Sequence, residues 1–199
     1  MENIKSIYQS LLKTSEIYSE LQNSTGLTCL NECGKCCENP NIFARPSELL
    51  PMAEWLYQEG RAFELVEELE NLANASELKN CIFYKKLDEF GRGRCGAYEF
   101  RPLICRSFGV FIREHKEGRR EFSVCKLIKE EHRERYQEVM ASIDSYKHVR
   151  AVDEITNEFF QSDANLFLEN ENQINLSLLV ILKKVILVNE LKKQKSHES

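Results

Sequence analysis

Eight cysteines carry most of the chemistry open to this chain: Cys29, Cys33, Cys36, Cys37, Cys81, Cys95, Cys105 and Cys125. The first four form C-x3-C-x2-C-C within nine residues. Thiolates two or three residues apart can converge on one ion through a tight loop. Gly34, between Cys33 and Cys36, is expected to supply the backbone freedom for that loop. The adjacent Cys36 and Cys37 should face different sides, one as a ligand and the other serving a second ion or packing in the core. A free cysteine is also a common core residue. That reading suits Cys81 and Cys125 taken singly, but not four cysteines in one loop. Radical-SAM enzymes use the same C-x3-C-x2-C spacing. They need a barrel of alternating strands and helices, and that alternation is missing here.

Metal ligation is expected over disulfides because of the compartment. Met1 to Ser10 holds no apolar run of signal-peptide length. The nearest thing to a membrane span, Ile174 to Leu191, is interrupted by Asn175, Ser177, Lys183, Lys184, Asn189 and Glu190. The expected location is the cytoplasm, where thiols stay reduced and clustered cysteines are metal-binding or catalytic. A net charge of -5 gives no global attraction to nucleic acid or to an anionic membrane.

A second feature is the basic run around Cys95 and Cys105. From Arg92 to Arg120 there are seven Arg and one Lys against Glu99, Glu114 and Glu117, or +5 locally. A four-thiolate zinc site or a 4Fe–4S cluster carries net negative charge. Arg101 and Arg106, flanking Cys105, would offset it and donate to sulfur. Arg113, Arg119 and Arg120 fit a solvated loop equally well. Among the histidines, His115 reads as an exposed loop residue, and His132 and His148 as surface residues of charged helices. Gly91-Arg-Gly93 lacks the pattern of a phosphate cradle.

The elements that must position these residues are mostly helical. Met1 to Asn23 has the apolar period of a helix in Ile4, Ile7, Leu11, Leu12, Ile17, Tyr18 and Leu21. Ser24 to Asn41 reads as a loop. Pro46 should open a helix that runs to about Glu59 and stops at Gly60. Ala62 to Ala73 should be another, with Phe63, Val66, Leu69 and Leu72 on its apolar side. Cys81-Ile-Phe-Tyr reads as a short β-like run, and Gly91-Arg-Gly as a hairpin turn leading to Cys95. Val110 to Arg113 and Glu121 to Val124 read as strands joined around Gly118. From Lys126 to about Lys193 the chain reads helical, with breaks near Ala151 and Ala164. The last of these helices is apolar almost all round, so it should be buried in the core or form a homodimer. The predicted fold is mainly α: a helical shell around a short, irregular, cysteine-rich middle with a few short strands. It is expected as a single domain over 1–199, with a metal-binding core at 24–125 and a helical extension at 126–199.

With these residues in view, the chain resembles the YkgJ-type cysteine-cluster family, the CxxCxxCC zinc- or iron-chelating domain. The matching pieces are Cys33-Gly-Lys-Cys36-Cys37, then Cys81-Ile-Phe-Tyr, then Cys95-x2-Tyr98-Glu99-x-Arg101-Pro102-x2-Cys105-Arg106-x-Phe108. The resemblance spans about residues 27 to 125. It departs at Cys29, which is separated from Cys33 by three residues where the family has two. What it implies is a metal site drawing on all eight cysteines, holding zinc or iron, with Tyr98, Arg101 and Arg106 around it. A related domain occurs in flagellin lysine N-methylase. The resemblance therefore also raises a protein lysine methyltransferase, with SAM as cosubstrate and a protein as substrate. No SAM-binding fingerprint accompanies it, so a metal-binding protein, structural or electron-carrying, is the first reading, with a metal-trafficking module as a further one.

Overall fold

The computed structural model describes residues 2–75, 80–89, 92–163, 166 and 168–197. The fold is mainly α. Helix α1 (Glu2–Thr25) is followed by an irregular loop and by the single turn α2 (Lys35–Glu38), which carries Cys36 and Cys37. Strand β1 (Phe43–Ala44) leads into a 3-10 turn (Pro46–Leu49), then α3 (Leu50–Gln58) and α4 (Ala62–Asn74). Strand β2 (Tyr84–Lys86) pairs antiparallel with β3 (Gly93–Cys95). A 3-10 turn (Tyr98–Phe100) and α5 (Leu103–Ser107) follow, then the hairpin β4 (Val110–Glu114) and β5 (Arg120–Val124). Helices α6 (Lys126–Glu131), α7 (Arg133–Ala141) and α8 (Val152–Gln161) come next, with the 3-10 turn Ile143–Tyr146 between α7 and α8. Strand β6 (Asn172–Gln173) pairs with β1 and runs directly into the long helix α9 (Ile174–His197).

Three apolar clusters hold these parts together. The largest joins α3, α4 and α9 through Leu49, Met52, Leu56, Leu65, Leu69, Leu178, Ile181, Leu182 and Val185. Cys81, Cys95 and Cys105 pack against its edge. A second cluster seats the β4–β5 hairpin on the end of α1 and on α6 and α7, with Cys125 at its margin. A third ties the first half of α1 to Leu103 and Phe159. Each fully buried Leu or Ile contributes about 1.5–3 kcal/mol of transfer free energy. The cysteine-bearing segments contribute Phe83 and Ala97 to the first cluster and Leu27 to the second.

The helix period places α1, α3 and α4 within a few residues, the strand and turn pattern around Gly118 places the β4–β5 hairpin, and the break at Ala151 is present as the start of α8. Five details differ, the first being that the stretch expected to be helical from Lys126 is interrupted by the 3-10 turn Ile143–Tyr146 and by strand β6 (Asn172–Gln173). The loop 24–41 contains the helical turn α2. The β-like run at Cys81 begins instead as a turn, and the strand starts at Tyr84. On α4 the buried side is Ala62, Leu65 and Leu69, one step round the helix from the expected stripe, which leaves Phe63 56% exposed. Helix α9 buries one side only: Val180, Leu187 and Leu191 are 52%, 60% and 48% exposed. Gly91 and Ala164 lie outside the described residues. Among the described residues, no helix is long and apolar enough to cross a membrane.

Candidate metal centre

Three chain segments meet at the cysteines. The first is the loop before α2. Glu32 takes φ 53, a left-handed conformation that ordinarily costs a non-glycine residue about 1–2 kcal/mol. Its carbonyl accepts the Gly93 amide at 2.8 Å, and its carboxylate pairs with Arg92 at 3.1 Å. The second is the turn at Cys81, whose N–H donates to the Cys37 carbonyl at 2.9 Å. The third runs from β3, ending at Cys95, through to α5, which carries Cys105. These main-chain bonds bring residues distant in sequence to one place.

Gly34 is required there for a reason other than turn freedom. Its φ of -101 and ψ of 13 are open to any residue. A Cβ on Gly34 would instead strike the Tyr84 ring and the Gly93 carbonyl carbon, the latter at 2.9 Å. Gly93 is closed to a Cβ by the same ring. The two glycines thus clasp Tyr84, whose hydroxyl donates to Glu38. Gly34→Ala is expected to destabilise the metal-free protein by about 1–3 kcal/mol, the usual range for overpacking. Urea unfolding measures this directly, and an unchanged midpoint would refute the clasp.

Seven of the eight cysteines, all but Cys125, line one cavity of about 390 Å³. Its floor is apolar, from Ile42, Leu49, Met52, Phe83 and Leu178. The thiols fall into two groups. Cys37, buried, lies among the thiols of Cys36, Cys81 and Cys95, with one S–H proton to share among them. That sharing holds the proton on Cys37, whose thiol is raised well above its ordinary range, and lowers its neighbours. Cys36 is held down to about 6 by the Cys37 hydrogen bond, against desolvation and with help from Arg101. Cys95 is held down to about 7 by the same hydrogen bond, and Cys81 is lowered likewise. Cys105 is pushed well up by burial, then by the charges of Cys81, Cys36 and Cys95. The outer group is Cys29, Cys33 and Cys125. Cys29 stands exposed at the mouth. Its thiol is raised by partial desolvation first, then by Cys33, Cys36 and Cys125. Cys125 itself sits on the second apolar cluster, its N–H donating to the Gly109 carbonyl. Among the described residues, no three His, Cys, Asp or Glu side chains are gathered closely enough to hold a metal ion as they stand.

The arginines divide sharply. Arg101 lowers the thiols of Cys29, Cys36, Cys95 and Cys105 by its charge. It is held by the Tyr98 carbonyl at 3.1 Å, by the Cys105 carbonyl at 3.2 Å and by the Tyr98 ring, whose centroid lies 3.6 Å away. Arg106 is 5% exposed and uses its guanidinium on the Arg101 and Glu99 carbonyls and on the Ser15 hydroxyl of α1. It anchors the Cys105 helix rather than donating to sulfur. Arg92 pairs with Asp88 and Glu32, Arg119 with Glu121, and Arg120 binds the carbonyls of Tyr146, Lys147 and Val149. His115 pairs with Glu121 at 3.1 Å, on the β4–β5 hairpin.

Two positioning groups gave no sequence signal. Glu48, 2% exposed, accepts the Arg45 amide at 2.8 Å and the Leu103 amide at 2.9 Å, fixing the start of the Cys105 helix. Asn175, also 2% exposed, holds the backbone on both sides of Cys81. The donor set fits a thiophilic ion: soft thiolates suit zinc, iron and iron–sulfur centres.

A family model matches residues 28–138, more than half of the 199-residue chain, with the description CxxCxxCC, "Putative zinc- or iron-chelating domain". The chain belongs to this family of cysteine-cluster domains. No curated protein and no solved structure matches it.

Proposed function

We propose that the chain binds zinc or iron through its cysteine thiolates, the ion or cluster being held by Cys36, Cys37, Cys81 and Cys95 with Cys105 beside them. The observation that carries this reading is the single cavity lined by thiols from three separate parts of the chain, Cys36 and Cys37, Cys81, and Cys95 with Cys105. Three of these cysteines, Cys36, Cys81 and Cys95, have their thiols lowered, which eases their deprotonation on metal binding, while Cys37 retains the proton that binding must displace. Arg101 would offset the charge of a loaded thiolate site. Cys29, Cys33 and Cys125 form an outer set that could take a second ion. A reducing compartment such as the cytoplasm keeps such thiols available.

Protein purified without air should contain at least one zinc or iron per chain by elemental analysis, with its thiols reduced. Colour separates the two metals: an iron–sulfur protein is brown and a zinc protein colourless. Absence of both metals, together with mapped intrachain disulfides, would overturn the reading.

A further inference from the structure

The family match ends at residue 138, but helix α9 begins against the cysteine cavity. Asn175, in its first turn, lines that cavity. Its Oδ1 accepts the Ile82 N–H at 3.0 Å, and its Nδ2 donates to the Asn80 carbonyl at 2.7 Å. Asn80 and Ile82 flank Cys81, so one amide side chain grips the main chain on both sides of one thiol. The grip comes from a fixed base. The Asn175 amide donates to Gln173 Oε1 at 2.8 Å, the Ile174 amide to the Ile42 carbonyl at 2.9 Å, and the Ser177 hydroxyl to the Ala44 carbonyl at 2.6 Å. On its other side Cys81 is tied by its own N–H to the Cys37 carbonyl.

We infer that Asn175 is a positioning residue of the metal centre, so that the centre is built jointly by the family domain and the C-terminal helix outside it. The inference rests on the metal-binding reading above. A carboxamide is the suitable group, because it supplies one donor and one acceptor in fixed geometry. Its loss would leave the Ile82 N–H and the Asn80 carbonyl without their partner and let the Cys81 turn drift. A ligand that must be re-ordered at each binding event is held less tightly. A residue that only anchored α9 would lower stability without any special relation to Cys81.

The test is a double-mutant cycle on zinc release. Protein, Asn175→Leu, Cys81→Ser and the double variant are loaded with zinc alone and challenged with excess chelator. Asn175→Leu should release zinc about 10–100-fold faster, the usual effect of altering a group that supports a ligand. On the Cys81→Ser background it should add little, because its effect passes through that thiol. Loaded with cobalt(II), Asn175→Leu should also lose part of the thiolate charge-transfer absorption. Unchanged release, or effects that multiply independently of Cys81, would overturn the inference while leaving the metal reading intact. Unmodified protein that takes up no metal overturns both. If Asn175→Leu does not fold, Asn175→Asp decides: it keeps the acceptor for Ile82 and loses the donor to Asn80, so intermediate release is expected, and release equal to the parent's is the adverse result.

Discussion

Cys37→Ser is expected to lose metal more completely than the change of any other cysteine, with affinity falling by more than about 100-fold, beyond what supporting groups ordinarily cost. Cys37 is the thiol that meets Cys36, Cys81 and Cys95 together, so its loss removes one sulfur and the group that organises three more. In the metal-free protein its single S–H can favour the thiolate of one neighbour at a time among Cys36, Cys81 and Cys95. Serine keeps a hydroxyl donor but is a poor ligand for a soft ion. Since metal binding to a site absent from the unfolded chain is folding free energy, the variant should melt like metal-free protein whether or not zinc is present. Cys29→Ser, at the exposed mouth, should retain nearly all its tightly held metal. Metal stoichiometry and thermal melting with and without zinc read both variants. If Cys29→Ser loses the metal and Cys37→Ser keeps it, the division into inner and outer thiols is reversed.

The parts of this molecule visible in its sequence are those set by local chemistry. The apolar period of α1, the Pro46 start and the Gly60 stop around α3, and the β4–β5 hairpin turning at Gly118 all follow from neighbours a few residues apart. The crowding of cysteines in residues 29–37 is likewise local, and it pointed to the site. Which thiols meet is another matter, because it depends on pairings across the chain. The Cys81 N–H bond to the Cys37 carbonyl and the Gly93 bond to the Glu32 carbonyl involve backbone groups that every sequence has. Glu48 lies 55 residues from Leu103, and Asn175 lies 93 from Ile82. In the sequence Asn175 is only a polar interruption of an apolar helix, and in the fold that interruption is what reaches the Cys81 turn. The arginines teach the converse. Their number and positive excess marked a thiolate environment, but several are bound to carbonyls or carboxylates, while the charge of Arg101 acts on Cys29, Cys36, Cys95 and Cys105.

Glu48 should make the stability of the metal-free protein fall as pH rises through mild acidity. Burial raises its carboxyl from 4.5 to about 7, against the two backbone amides that favour the carboxylate. Glu171 adds to the rise, and Arg45 opposes it. A raised carboxyl pKa means that the folded state holds its proton more tightly than the unfolded chain does. The associated stability is therefore complete below about pH 4.5 and is lost progressively up to about pH 7. A rise of this size corresponds to roughly 3 kcal/mol, at about 1.4 kcal/mol per pKa unit. Glu48→Gln removes that titration. A glutamine amide can accept only one of the two N–H groups and turns its own donors toward the other, so the variant should be about 1–3 kcal/mol less stable at pH 4.5. The gap should narrow by pH 8, where the native protein bears a buried carboxylate and the variant does not. Urea unfolding of both metal-free proteins at the two pH values measures the difference, with other titrating groups common to both. Parallel pH profiles for the two proteins would show that Glu48 is already ionised throughout, and that the Leu103 and Arg45 amides, rather than burial, govern the carboxylate that holds the Cys105 helix in place.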